Sequence, residues 1–161
     1  MVPERPEPRY ASGLARRYAL AVAEAKADDV AERIGRGVVV AADTIVVLDG
    51  EVLGKPPSRA EARRMLERLS GRTHSVLTAV AVMDAGTRRA LAATDSAHLT
   101  LRRLSADEID GYLDTGEPMD KAGAYALQGE AARFVTRIGG DPETAIGLPT
   151  RLVQRLLERL G

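Results

Sequence analysis

Residues 37–48, GVVVAADTIVVL, are β-branched and apolar almost throughout, the pattern of a strand covered on both faces. One carboxylate, Asp43, interrupts the run together with Thr44. Burying an ionised carboxylate costs several kcal/mol unless a partner compensates it. Any fold that buries this strand must therefore satisfy Asp43. Two readings are open: a carboxylate held by backbone N–H groups, or a metal ligand or general base at the edge of a site.

Turn and cap signals divide the rest of the chain. Residues 1–9, with Pro3, Pro6 and Pro8, read as an extended, poorly ordered lead-in. Leu14, Tyr18, Val22, Ala25 and Val30 recur at near-helical spacing and predict a helix over 12–34 that stops at Gly35. Asp49-Gly50 marks a tight turn after the apolar strand, with a short return over Glu51 to Leu53. Ser58 with Glu61, and Ser105 with Glu108, have capping-box spacing and open helices to Leu69 and to about Asp114. Strands are predicted over 73–84, 88–101 and Arg133 to Ile138, and an amphipathic helix over Thr150 to Leu160. Residues 116–131 are glycine-rich and irregular. A loop this long in a compact chain is a place for function. The expected architecture is one α/β domain, residues 1–161, with a mixed sheet flanked by helices and a cleft between two lobes.

Composition narrows the function. Formal net charge is zero and aromatic residues make up 3%, which disfavours a nucleic-acid partner. No apolar run reaches the roughly 20 residues of a membrane span, and no secretory leader is evident. Cysteine is absent, so disulfides and thiolate metal sites are excluded. A soluble, cytoplasmic protein is expected. Of the 23 basic residues only three are lysine: Lys26, Lys55 and Lys121. Where any positive charge suffices this chain uses arginine. A retained lysine suggests a place that needs a compact ammonium, such as a phosphate site. Neither His74 nor His98 suggests a catalytic triad, and His74 reads as a polar residue at a strand start. The Arg16-Arg17 pair looks like an anion loop but falls within the predicted helix, so both are expected on its exposed face.

With these residues in hand, the chain resembles the Maf family of nucleoside triphosphate pyrophosphatases over roughly residues 10 to 160. The resemblance rests on Val40 to Gly50, Leu53-Gly54-Lys55-Pro56, Leu69 to Thr78, Asp120 to Gly129, and Gly147-Leu148-Pro149. It implies hydrolysis of a nucleoside triphosphate to monophosphate and pyrophosphate with a divalent cation, Mg²⁺ or Mn²⁺. It implies Asp43 as general base and metal ligand, and Lys26, Lys55 and Lys121 as catalytic lysines. Asp120 is expected in the substrate site. Thr44 with Gln128 is similar to the subgroup acting on dTTP and UTP. A family acidic residue that assists the metal aligns with Glu4. Members also open with a strand and a Ser-x-Ser-Pro-Arg-Arg loop that binds the triphosphate. No counterpart is found here, so the chain reads as shortened relative to the family, weak as an enzyme and inclined to self-associate through an exposed sheet edge. Asp141 to Ile146 departs from the family's Asn-Val-Val approach to Gly-Leu-Pro. The expected partner is the nucleotide, with neither nucleic acid nor membrane, and homodimer formation is left open. The rival reading is a non-catalytic nucleotide-binding or cell-division regulator, which shares the cleft but not the turnover.

Overall fold

The computed structural model describes Met1 and residues 15–161. Helix α1 (Ala15–Ile34) is followed by β1 (Val38–Leu48) and β2 (Glu51–Leu53), then α2 (Arg59–Leu69), β3 (Thr73–Asp84) and β4 (Ala90–Leu101). The chain continues through α3 (Ala106–Asp114), three short 3₁₀ turns, β5 (Val135–Gly139), α4 (Pro142–Ile146) and α5 (Thr150–Leu160). Among the described residues these strands form one sheet in the order β2-β1-β3-β4-β5. The expected lead-in over 2–9, and the start of the first helix at 12–14, lie outside the described residues.

The expected α/β architecture, a sheet flanked by helices, is present. Its strand directions differ from the expectation: every strand pair among the described residues is antiparallel, where a mixed sheet was inferred. A strand that is apolar on both faces is common in parallel sheets. Here β1 is covered on both faces by other means, and the short β1–β2 and β3–β4 connections are hairpins, which are antiparallel by construction. Two strand ends also shift. Arg88 takes a positive φ of 61° in the β3–β4 turn, so β4 begins at Ala90. Arg133 and Phe134 belong to a 3₁₀ turn, so β5 begins at Val135.

Side chains of a strand alternate between faces, and this sorts the core. Odd-numbered residues of β1 and β3, including Val39, Ile45, Leu77, Ala79 and Ala81, face α1. Helix α1 meets them with Ala19, Ala23, Ala27 and Ala31, a row at four-residue spacing that brings the helix axis close to the sheet. Gly35, at φ +68°, ends α1 by donating its N–H to the Ala31 carbonyl at 3.0 Å. The opposite face carries two separate apolar clusters. Val46, Val76 and Leu99 pack with α2, α3 and the 3₁₀ segment. Val80 and Val82 pack with Leu152, Leu156 and Leu160 of α5. Between the two clusters the same face presents Thr44, Thr78 and Asp95, which are neighbours in register on β1, β3 and β4.

Three contacts fix the irregular segment. Gly123 donates its N–H to the Gly54 carbonyl at 3.1 Å, at φ +67° and so close to β1 that a Cβ would stand 3.0 Å from Val46 Cγ1. A side chain there would strain the backbone and push the segment off the strand. Glu117 accepts from the Tyr112 hydroxyl at 2.8 Å and from the Glu130 N–H at 3.1 Å, tying the two ends of the segment together. Tyr112 is itself placed by α3, whose N-terminus has both bonds of a capping box between Ser105 and Glu108. Arg102 also binds Glu108, holding that carboxyl at about 2, below its usual range.

The third contact was not foreseen. His74 starts β3 as expected, but it is buried, 3% exposed, and its Nε2 lies 2.6 Å from the Tyr125 hydroxyl with the two rings edge to face. Its Nδ1 has no hydrogen-bond partner among the described residues. Burial disfavours the imidazolium and pushes the His74 pKa from 6.5 down to about 4. The unfolded chain therefore binds a proton near pH 6.5 that the folded chain refuses until about pH 4. Stability is full above that window and falls as pH drops through it, by of order 1–3 kcal/mol. Urea unfolding measured across the window should show this loss, and His74→Phe, which cannot titrate, should lack that part of the slope.

Candidate active site

Asp43 and Thr44 are consecutive and therefore point to opposite faces of β1. They sit where β2 has ended, since β2 pairs only with Val46 to Leu48. On the α1 face, Lys26 Nζ donates to Asp43 Oδ1 at 2.9 Å, with the two side chains only 20% and 11% exposed. This ion pair compensates the carboxylate that interrupts the apolar run. The close alanine packing of α1 brings Lys26 within reach. A cavity of about 300 Å³ opens beside the pair, lined by Tyr18, Lys26, Asp43, Thr44, Gly54 and Lys55 among others.

On the opposite face a second cavity, of about 410 Å³, is lined by Thr44, Lys55, Asp120, Lys121, Tyr125 and Gln128, with Ala145 and Ile146 of α4. The two cavities share Thr44, Lys55 and Ala122, so together they wrap around the edge of β1. The Gly123–Gly54 bond sets this arrangement, because it fixes the Lys55 loop against the Lys121 loop. Lys121 pairs with Asp120 at 2.9 Å in an exposed setting. That ammonium holds the Asp120 carboxyl below its ordinary pKa, and the charge of Lys55 acts in the same direction. Lys55 has no ion-pair partner among the described residues and lines both cavities.

All three lysines of the chain thus border this joined cleft, as do Asp43, Thr44, Asp120 and Gln128. Glu4, the other expected metal ligand, lies outside the described residues. Among the described residues no group of three carboxylates or histidines gathers to hold a metal. Arg16 and Arg17 are exposed on α1, as expected. The sequence reading missed Tyr125 and the role of 141–146. Asp141 caps α4 by accepting from the Glu143 N–H, with Pro142 at the first helical position. The Asp-Pro pair was the available signal. Gly147 ends α4 at φ +109°, where a Cβ would stand 3.0 Å from Thr44 Oγ1. None of the described helices is long and apolar enough to cross a membrane.

Three ammonium groups and a paired carboxylate border one joined cleft, whose cavity on the Gln128 side, about 410 Å³, is the roomier of the two. A family model described as Maf-like protein matches residues 1–160. A protein of Symbiobacterium thermophilum named dTTP/UTP pyrophosphatase is 48% identical over 136 residues, covering 84% of this chain and 69% of that one. Proteins of the same name from Pyrococcus abyssi and Moorella thermoacetica are 47% and 46% identical, covering 87% and 95% of this chain and 74% and 78% of theirs. The three lysines, Asp43, Thr44, Asp120 and Gln128 line the cleft, the family model matches nearly the whole of the chain, and the chain belongs to the Maf family.

Proposed function

We propose that this protein hydrolyses dTTP and UTP to the nucleoside monophosphate and pyrophosphate, in a cytoplasmic, nucleotide-cleansing role. The observation that carries the reading is one joined cleft bordered by the three lysines, Asp43, Thr44 and Gln128. The triphosphate lies along Lys55 and Lys121, and the base enters the pocket of Thr44, Gln128 and Tyr125. Each charge-assisted contact to a phosphate oxygen contributes roughly 1.5–3 kcal/mol, so two or three ammonium groups suffice to orient the chain.

Asp43 takes a proton from the attacking water as its oxygen bonds to the α-phosphorus. The bridging oxygen between α- and β-phosphorus leaves with the bonding electrons, as pyrophosphate. Lys26 keeps the Asp43 carboxylate ionised and oriented, and Lys55 and Lys121 offset the charge that develops on the leaving group. The donor set suits a divalent cation of the Mg²⁺ or Mn²⁺ type, which uses one or two carboxylates and takes its other ligands from phosphates and water. Asp43 would supply the carboxylate here, with Glu4 as the second candidate. The cation, when bound, polarises the phosphoryl oxygens and lowers the pKa of water.

Two outcomes follow. Asp43→Asn preserves volume and removes the base. Pyrophosphate release from dTTP should fall by about 10²–10⁴, with the circular dichroism spectrum unchanged. Turnover within a few-fold of the parent would contradict the assignment. In a panel of nucleoside triphosphates at equal concentration, dTTP and UTP should be turned over fastest. Gln128→Ala should flatten the ranking, and a purine nucleotide at the head of the parent's ranking would refute the base assignment.

A further inference from the structure

Thr44, Thr78 and Asp95, the row that divides the two apolar clusters, are linked by hydrogen bonds through the main chain and the side chain of Thr144. Thr78 is fully buried, and its hydroxyl donates to the Thr144 carbonyl at 2.7 Å. Thr144, also fully buried, donates its own hydroxyl to Asp95 Oδ2 at 2.6 Å. Thr44 Oγ1 lies 2.8 Å from Thr78 Oγ1. A hydroxyl has one proton and two lone pairs. The Thr78 proton is committed to the Thr144 carbonyl, so the bond between the two threonines is donated by Thr44. The Thr44 proton therefore points inward, and only lone pairs face the cleft.

We infer that Thr44 is an acceptor-only contact for the base, and that Thr78, anchored by Thr144 and Asp95, is the positioning residue that makes it so. The ligand class follows, on the reading that this cleft binds a pyrimidine nucleotide. Uracil and thymine carry an N3–H that Thr44 accepts. Cytosine presents an unprotonated N3, whose lone pair would face those of Thr44. Gln128 does not make this distinction alone, because its amide offers a donor and an acceptor and can turn over to match either base. Discrimination needs a group that cannot reverse, and a hydroxyl locked from behind by a buried relay is one. Asp141 to Ile146, the segment that departs from the family pattern, lines this side of the cleft with Ala145 and Ile146. Its Thr144 holds both Thr78 and Asp95.

The test uses the 161-residue chain and two analogues that resist cleavage, the α,β-imido forms of UTP and CTP, with binding measured by calorimetry. The parent should bind the uridine analogue roughly ten- to a hundred-fold more tightly than the cytidine analogue. Thr78→Val keeps the buried volume and releases the Thr44 proton. Its ratio should fall to within about threefold, chiefly through tighter binding of the cytidine analogue. Thr78→Ser, which keeps the hydroxyl, should retain the parent's ratio. Thr44→Val should lose the preference as Thr78→Val does, and it guards against poor folding of a variant in the buried position. A general loss of stability would weaken both analogues together and leave the ratio alone. An unchanged ratio in Thr78→Val, or a parent that binds the two analogues equally, overturns the inference. Because the readout is binding, these outcomes hold whether or not the chain releases pyrophosphate from dTTP, and turnover alone decides the proposed activity.

Discussion

The rest of the structure depends on the ion pair between Lys26 and Asp43. A carboxylate in an apolar strand is tolerated only where a partner compensates it, and removing one member of a buried pair costs about 3–5 kcal/mol. This partner comes from α1, so α1 must lie close to the sheet at that point. The alanine row at 19, 23, 27 and 31 against Ala79 and Ala81 allows it. The small residues of α1 are thus more than filler: bulkier ones would lift the helix and move the ammonium away from Asp43.

The second determinant is the two-residue period of a strand. Because Asp43 and Thr44 are neighbours, they project to opposite faces, and a site that uses both must wrap around the strand. That is possible because β2 stops short and pairs only with Val46 to Leu48. The Gly54-Lys55 loop then turns at the edge of β1, and Gly123 ties the Lys121 segment to it. On the proposed reading, Asp43 serves the triphosphate from one face of β1 and Thr44 serves the base from the other. Tyr125, which lines the cavity on the Gln128 side, is held by a buried bond to His74.

Much of this was legible in the sequence where a residue type was out of place. Asp43 interrupts an apolar run, and the three lysines stand out in an arginine-rich chain. The capping box at Ser105 and the Asp49-Gly50 turn fall where their spacing puts them. Features that depend on long-range pairing were not legible. The direction of neighbouring strands cannot be read from a two-sided apolar pattern, because helices on both faces of an antiparallel sheet produce the same pattern as parallel neighbours. Thr44, Thr78, Thr144 and Asp95 are ordinary residues at ordinary spacings. Only strand register and the return of α4 make them a relay. His74 reads as a polar residue at a strand start, and nothing local reveals that Tyr125 covers it.

The central claim is that Asp43 directs water onto the α-phosphorus, with pyrophosphate as the leaving group. The most direct measurement is a single-turnover reaction with dTTP in oxygen-18 water, with products resolved by mass spectrometry. The account predicts one labelled oxygen in the nucleoside monophosphate and none in the pyrophosphate. Label in the pyrophosphate, which would place the attack on the β-phosphorus, or release of labelled orthophosphate, would contradict it.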